Sequence, residues 1–553
     1  MNDLSLFVAG AAGEGIQTIG DIVARAFLHH GYPVFATSEF ESRIRGGNSS
    51  TRLRIGERPL NAPRPDADVL LALNPAARDH YLETLREGGL LIADETEDDR
   101  SVQIPFSDLA IEHGGAKLFA NAVAAGSLIA STGLPFGCLE QVLSDAFEAR
   151  GEDVIQSNVA AARAGYEHAI RLLGARAPGP IPARKARHVF ASAHSVIPIA
   201  AAAAGCRFIA AYPMSPSTGI ITTFARDNDL GVFAEQAEDE ISAINMSIGA
   251  SAAGARAMTA TSGGGFALMT EALSLAGMTE TPLVVLLAQR PGPATGLPTR
   301  TAQEDLLFAI HGGHGEFPRL VLAPSDPQDA VAKTVRAFDL ADRFQIPVIL
   351  LTDQYLADSY FSLTDLEIPT GTFIPQLADP NAFDDYARYT RTENGVSPRL
   401  VYGQSEHIVS IDSDEHTEAG HITEDLKTIR AAMVKKRQKK EAALRAAIGP
   451  PSQSDVDGAE TVLVGWGSTR GAIEEAASRL RAADRAVGTI HFTELWPLPD
   501  LAFPKSAAYW AVEGNATAQF AGLLEREAGL RFSGSIGRSD GRPIDASFIL
   551  EAL

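Results

Sequence analysis

The sequence predicts an α/β protein of three successive units, and three observations carry that expectation. Its 553 residues exceed what one core organises, since domains typically hold roughly 100–200 residues. Short apolar runs alternate with helical patterns, as in a largely parallel sheet covered by helices. Three such runs end in glycine-rich turns that open helices, at Gly10 to Gly15, Thr261 to Gly265 and Gly465 to Thr469.

The first unit, residues 1–176, opens on a strand, Leu4 to Ala9, passes through Gly10-Ala-Ala-Gly13-Glu-Gly15 and continues as a helical pattern through Phe27. Further strands are expected at Ser50 to Ile55, Val69 to Leu73 and Gly89 to Ala93. Residues 177–186 contain Pro178, Pro180 and Pro182 beside Gly179, which suits an exposed linker and cannot continue a helix or central strand. The second unit, residues 187–365, has buried-strand patterns at Arg207 to Ala211, Ala257 to Thr261, Pro282 to Ala288 and Pro347 to Leu351. Residues 366–455 form a connecting arm and a basic helix. The arm is polar and weakly periodic to about residue 420. The helix, 423–448, carries Lys427, Arg430, Lys435, Lys436, Arg437, Lys439, Lys440 and Arg445 without interleaved aromatics, so it is expected to be a solvated face and not a nucleic-acid site. The last unit, residues 456–553, starts with the strand Thr461 to Val464, turns at Gly465-Trp-Gly-Ser-Thr469 and enters a helix through Leu480.

Composition narrows the function. With 45% apolar and 21% charged residues the chain should fold as a soluble protein. Its 47 basic against 69 acidic residues give −22, a field that opposes nucleic acid and anionic lipid. Two cysteines, Cys138 and Cys206, cannot supply the roughly four thiolates of an iron–sulfur cluster. The longest apolar stretch, Val196 to Cys206, is too short to cross a bilayer, and acidic Asp3 stands where a signal peptide favours positive charge, so a cytoplasmic location is expected.

Several constellations could carry chemistry. Gly10, Gly13 and Gly15 let backbone amides approach a phosphate at a helix start. Arg45, Gly46 and Gly47 would add a guanidinium and further donors, unless they form a plain turn before the next strand. In the second unit, Ala211-Tyr-Pro-Met-Ser-Pro-Ser-Thr218 places rigid hydroxyls directly after a strand, where open α/β sheets bind ligands. Glu235 and Asp239 read as acids favoured by a helix dipole. Glu240 differs, because the helix it heads is so rich in Ala, Gly and Ser that a close neighbour would bury its carboxylate. His311 and His314 stand among glycines without an evident third ligand, so no metal site is expected.

These residues resemble the α subunit of 2-oxoacid:ferredoxin oxidoreductases, in the form with a γ domain fused ahead of the α domain. The resemblance spans nearly the whole chain. It rests on Tyr212 to Thr218, Gln236 to Gly265, Gly277-Met-Thr-Glu-Thr-Pro282, Gln289 to Thr299 and Leu495-Trp-Pro-Leu-Pro499. It implies a γ domain, a pyrimidine-type thiamine diphosphate domain and a transketolase C-terminal-like domain. It further implies oxidative decarboxylation of a 2-oxoacid, with a lean to 2-oxoglutarate, to acyl-CoA, CO2 and reduced ferredoxin. Glu240 then matches the glutamate whose carboxylate favours the imino tautomer of the cofactor's aminopyrimidine ring. Tyr212, Ser215 and Arg290 match substrate-binding positions, and the glycine segments with Arg45 would hold coenzyme A phosphates.

The Gly-Asp-Gly signature for Mg²⁺ and diphosphate is not found, so the resemblance implies a β subunit bringing Mg²⁺ and a [4Fe-4S] cluster. An α2β2 assembly with ferredoxin docking on the β partner is expected. Two departures stand out: Ala193-His194-Ser195-Val196 where Gly-Asn-Glu-Ala is common, and Ser262-Gly-Gly-Gly265 where Ser-Gly-Pro-Gly is usual. A nicotinamide-dependent dehydrogenase using the N-terminal loop and a non-catalytic scaffold of the same fold remain as alternatives.

Overall fold

Leu6 to Ala9 have no solvent-accessible surface, which places the first strand inside a sheet and not at its edge. In the computed structural model, which describes residues 3–43, 46–371, 373, 375–504 and 507–553, that strand is Leu4–Ala12. The chain divides into two compact units. The first comprises Met1–Ala191, Asp358–Leu366 and Asp545–Phe548; the second comprises Ser192–Ala357, Glu367–Ile544 and Ile549–Leu553.

In the first unit the sheet order is Val34–Glu39, Gly46–Ile55, Leu4–Ala12, Ala67–Ala72, Leu85–Ala93, Ser101–Gln103. The first two pair antiparallel and the remainder run parallel to Leu4–Ala12. Helices including Ile16–His29, Ala120–Ala130 and Phe136–Phe147 close over a core of Leu6, Val8, Phe27, Val123, Leu128 and Leu139. One of the two alternatives the sequence left open closes here. Gly46 and Gly47 do not form a turn before a strand at Ser50: they begin the strand itself, because pairing with Leu4–Ala12 continues to Ala12 opposite Gly46. The proline-rich segment has no regular structure but is pinned, with Ile181 N–H donating to Gly133 O at 3.0 Å and Arg184 N–H to His30 O at 3.0 Å.

The second unit holds two sheets. The larger runs Glu494–Trp496, Leu320–Leu322, Pro347–Asp353, Leu283–Gln289, Arg256–Thr261, Cys206–Ala211, Phe233–Gln236, parallel apart from Glu494–Trp496. Leu283–Gln289 and Pro347–Asp353 are buried along their whole length, as central parallel strands should be. The smaller sheet runs Ser452–Ser454, Val487–Phe492, Thr461–Trp466, Ala508–Glu513, Gly534–Gly537. One apolar cluster passes through both, from Val285 and Ile349 to Val464, Trp466 and Phe492. The described residues between 366 and 420 contain little regular structure beyond the short turn Pro380–Ala382.

The basic helix departs from expectation. The α-helix is Ala431–Arg445, and Lys436, Arg437 and Lys440 on it are buried, not solvated. Lys436 Nζ donates to both carboxylate oxygens of Glu280, at 2.6 and 2.8 Å, and Lys440 Nζ pairs with the same carboxylate. Arg437 pairs with Glu415 at 3.0 Å. A charged helix face became core because its counter-ion stands 156 residues earlier in the chain.

Candidate active site

Parallel strands bring their carboxyl ends to one edge, so residues far apart in sequence meet there. Cys206–Ala211 leads into the Tyr212 loop, Phe233–Gln236 into Glu240, Arg256–Thr261 into the glycine turn and Leu283–Gln289 into Arg290. This edge therefore carries Tyr212, Ser215, Glu240 and Arg290 together.

Glu240 is the first residue of the helix Glu240–Ala252 and only 3% exposed. Asp239 caps that helix, its carboxylate accepting from Ser242 N–H at 2.7 Å, as expected of an acid at a helix start. Glu240 caps nothing. Its Oε1 is buried with no hydrogen-bond partner among the described residues, a costly state that a donor from a bound group would relieve. Gly265, in the first turn of the helix Gly263–Met278, leaves the room: a Cβ there would stand 2.6 Å from Glu240 Oε1 and 2.1 Å from Thr261 Oγ1. Gly265→Ala should therefore displace the carboxylate and lower turnover in the assembled enzyme more than it lowers the melting temperature. A large loss of melting temperature with full turnover would contradict this role. Ser262 Oγ, at the cap of the same helix, is likewise buried with no partner among the described residues, and sequence reasoning did not single it out.

Arg290 is half-buried, and its Nη1 donates to the backbone carbonyl of Ser215 at 2.6 Å. The guanidinium is thus tied to the Tyr212–Thr218 loop through backbone, while the Ser215 side chain remains exposed. Burial lowers the Arg290 pKa, and nearby Asp305 partly offsets this. Tyr212 is 40% exposed at the mouth of the same edge. The departure at Ala193 to Val196 has a local explanation: Ser192 N–H donates to Ser195 Oγ at 3.0 Å, so Ser195 takes the reciprocal capping role that an acid would otherwise fill.

In the first unit the two glycine segments do meet, Ala12 lying opposite Gly46 with Gly13 and Gly15 at φ 92° and 79° just beyond. The amides are partly engaged. Glu14 Oε2 accepts from Ala11 N–H at 2.7 Å and from Asn74 Nδ2 at 2.6 Å, and Glu41 Oε1 accepts from Asn48 N–H at 3.2 Å. Arg45, expected beside these glycines, lies outside the described residues.

A largely parallel open sheet with a buried carboxylate and an arginine at its carboxyl edge is the arrangement of an α/β enzyme that binds its ligand where the strands end. Residues 199–436 match the family described as pyruvate flavodoxin/ferredoxin oxidoreductase, thiamine diP-binding, and residues 5–168 match pyruvate ferredoxin/flavodoxin oxidoreductase. The chain is 31% identical to subunit alpha of 2-oxoacid:ferredoxin oxidoreductase 2 from Aeropyrum pernix, covering 98% of this chain and 96% of that protein. It is 30% identical to the 2-oxoglutarate oxidoreductase subunit KorA of Mycobacterium tuberculosis, over 89% and 82% of the two chains. Among solved structures, 2-oxoglutarate:ferredoxin oxidoreductase from Magnetococcus marinus, with 2-oxoglutarate, coenzyme A and succinyl-CoA bound, superposes with a TM-score of 0.93 at 31% identity, covering 100% of this chain and 99% of that one. The chain belongs to the 2-oxoacid:ferredoxin oxidoreductase α subunits, and so to an oxidoreductase with a thiamine diphosphate domain.

The residues present fit that cofactor, since Glu240 Oε1, buried with no partner among the described residues, is placed to accept a hydrogen bond from a ring nitrogen.

Proposed function

We propose that this chain is the α subunit, with a γ-type unit fused ahead of it, of an enzyme that oxidatively decarboxylates 2-oxoglutarate. The products would be succinyl-CoA, CO2 and reduced ferredoxin, formed only with a β subunit that supplies Mg²⁺ and an iron–sulfur cluster. Residues 1–176 serve as the γ-type unit, 187–365 as the pyrimidine-type unit and 456–553 as the transketolase C-terminal-like unit. The observation that carries this reading is the buried carboxylate of Glu240 with its unfilled Oε1, on the same sheet edge as Arg290.

Thiamine diphosphate, when bound, supplies the carbon nucleophile and electron sink of the reaction. Glu240 is the catalytic residue that accepts a hydrogen bond from the pyrimidine portion and holds the proton linkage there. Arg290 receives the 2-oxoacid carboxylate with the fork not committed to Ser215. Tyr212 and Ser215 line the approach. The lean to 2-oxoglutarate is supported by the solved relative, which carries that acid and coenzyme A. Gly10, Gly13, Gly15, Gly46 and Gly47 are the candidate coenzyme A contacts, the neighbouring Ala11 and Asn48 amides joining them when phosphate oxygens replace the carboxylates of Glu14 and Glu41.

The test is co-expression with the β partner, followed by anaerobic assay of CoA-dependent ferredoxin reduction. Faster turnover of pyruvate than of 2-oxoglutarate would refute the substrate, and no turnover of any 2-oxoacid would refute the class. Arg290→Lys should raise KM for the 2-oxoacid about 10- to 100-fold, the worth of one charged hydrogen bond, with a smaller change in kcat. An unchanged KM would remove Arg290 from the binding site.

A further inference from the structure

In the smaller sheet, Thr461–Trp466 lies between Val487–Phe492 on one side and Ala508–Glu513 on the other, all three parallel, so the strand order reverses there. A reversal of this kind opens a crevice at the carboxyl ends of the strands, the place where parallel sheets take ligands. Here the chain itself fills the crevice. Glu513 accepts from Phe520 N–H and Ala521 N–H, each at 2.9 Å, and so engages the start of the helix Gln519–Ala528. Gln303, only 2% exposed, occupies the strand ends. Its N–H donates to Gly514 O at 2.7 Å and its Nε2 to Trp466 O at 3.1 Å. Its Oε1 accepts from Gly514 N–H at 2.9 Å and its carbonyl from Asn515 Nδ2 at 3.0 Å. Each polar group of Gln303, main chain and side chain, thus has a partner at the end of one of those strands.

The two residues after Gln303 brace the backbone on either side of Arg290. Glu304 Oε2 accepts from Gly292 N–H at 3.0 Å, and Asp305 N–H donates to Gln289 Oε1 at 2.9 Å. Gln519 grips the same segment from its helix start, Nε2 donating to Glu304 O at 2.6 Å and Oε1 accepting from Leu307 N–H at 3.0 Å. A continuous run of hydrogen bonds therefore links the strand ends of the smaller sheet to the residues flanking Arg290, whose guanidinium reaches on to the Ser215 carbonyl.

We propose that Gln303 is a positioning residue for substrate binding: seated in the crevice of the smaller sheet as a ligand would be, it fixes the segment that braces Arg290 and so sets where the guanidinium meets the 2-oxoacid carboxylate. This rests on the assignment of Arg290 above. Packing between the two sheets would by itself contribute stability alone. A positioning role contributes to substrate binding, and it does so through Arg290.

The experiment uses the assembled enzyme. Gln303→Met keeps the side-chain volume and removes both side-chain hydrogen bonds, to Trp466 O and from Gly514 N–H. It should raise KM for 2-oxoglutarate about tenfold with kcat little changed, because a displaced arginine weakens the grip on the substrate carboxylate. Gln519→Met, at the half-buried helix start, should move KM in the same direction by less, and it carries the test if Gln303→Met does not assemble. In an Arg290→Lys background, Gln303→Met should add less than about threefold to KM, since the residue it acts through is already altered. A lowered melting temperature with wild-type KM in Gln303→Met, or in Gln519→Met where that variant carries the test, overturns the proposal. So does a full tenfold rise on top of Arg290→Lys, which would mean that the effect bypasses Arg290. Both outcomes leave the substrate reading intact. An unchanged KM in Arg290→Lys itself overturns the Arg290 assignment and this inference with it.

Discussion

Glu240→Gln in the assembled enzyme is expected to cut turnover by about 10²- to 10⁴-fold while assembly and melting temperature stay as in the wild type. The amide has the volume of the acid, so no cavity opens. The carboxylate oxygen Oε1 has no partner among the described residues, so no hydrogen bond to them is lost at that atom. What is lost is the capacity to hold a proton at a fixed point beside the cofactor, which an amide cannot do at any working pH. Glu240→Ala is the less informative change, because it removes side-chain volume at a 3% exposed position and adds a cavity cost to the chemical one. The check is steady-state ferredoxin reduction beside thermal unfolding of the same preparations. Glu240→Gln turning over at half the wild-type rate would end the catalytic assignment, whatever the fold.

Much of this site was legible because each of its parts follows a strand and carries a local signal. The small-residue helix after Glu240 announced a close neighbour, and Gly265 is where that neighbour meets it. Prolines and hydroxyls after Ala211 marked a rigid loop at a strand end, and Arg290 closes onto that loop. The contact itself was not legible: Arg290 reaches the Ser215 carbonyl, which any residue would present. A turn at Gly46 and Gly47 stayed open beside the anion-site reading because glycine is poor in strands, and antiparallel pairing to Ala12 overrode that preference. The basic helix was misread for a deeper reason. Burial of a charge depends on its counter-ion, and nothing near Lys436 or Lys440 in sequence identifies Glu280.

Glu280→Gln is expected to destabilise the protein by about 3–5 kcal/mol, whereas Lys440→Met should be neutral or stabilising near neutral pH. Lys436, Lys440 and Glu280 are each 2% exposed or less, and the Arg388 guanidinium donates to the Glu280 carbonyl at 2.8 Å. Burial alone would raise the Glu280 carboxyl, but Lys440, Lys436 and Arg388 together hold it well below the usual carboxylate range. One carboxylate thus answers two ammonium groups. Neutralising it strands both in a low-dielectric interior, while removing one ammonium leaves a matched pair. The surplus shows in Lys440, which burial pushes down to about 7 despite the attraction of Glu280. Its folded pKa lies below the unfolded one, so the unfolded chain binds more protons between about 7 and the usual lysine range, and this group makes stability rise with pH across that window. Glu280 gives a slope of the same sign at acid pH, its contribution being present above the ordinary glutamate pKa and lost as pH falls through its depressed one. Glu280 also holds φ at 50°, a backbone region that costs a non-glycine residue roughly 1–2 kcal/mol, so the position keeps its carboxylate against a local penalty. Urea unfolding of the wild type and both variants between neutral and alkaline pH tests this. The wild-type midpoint should climb with pH and that of Lys440→Met should not; equal slopes, or a Glu280→Gln midpoint matching wild type, would mean that the three charges are solvated and the helix lies on the surface after all.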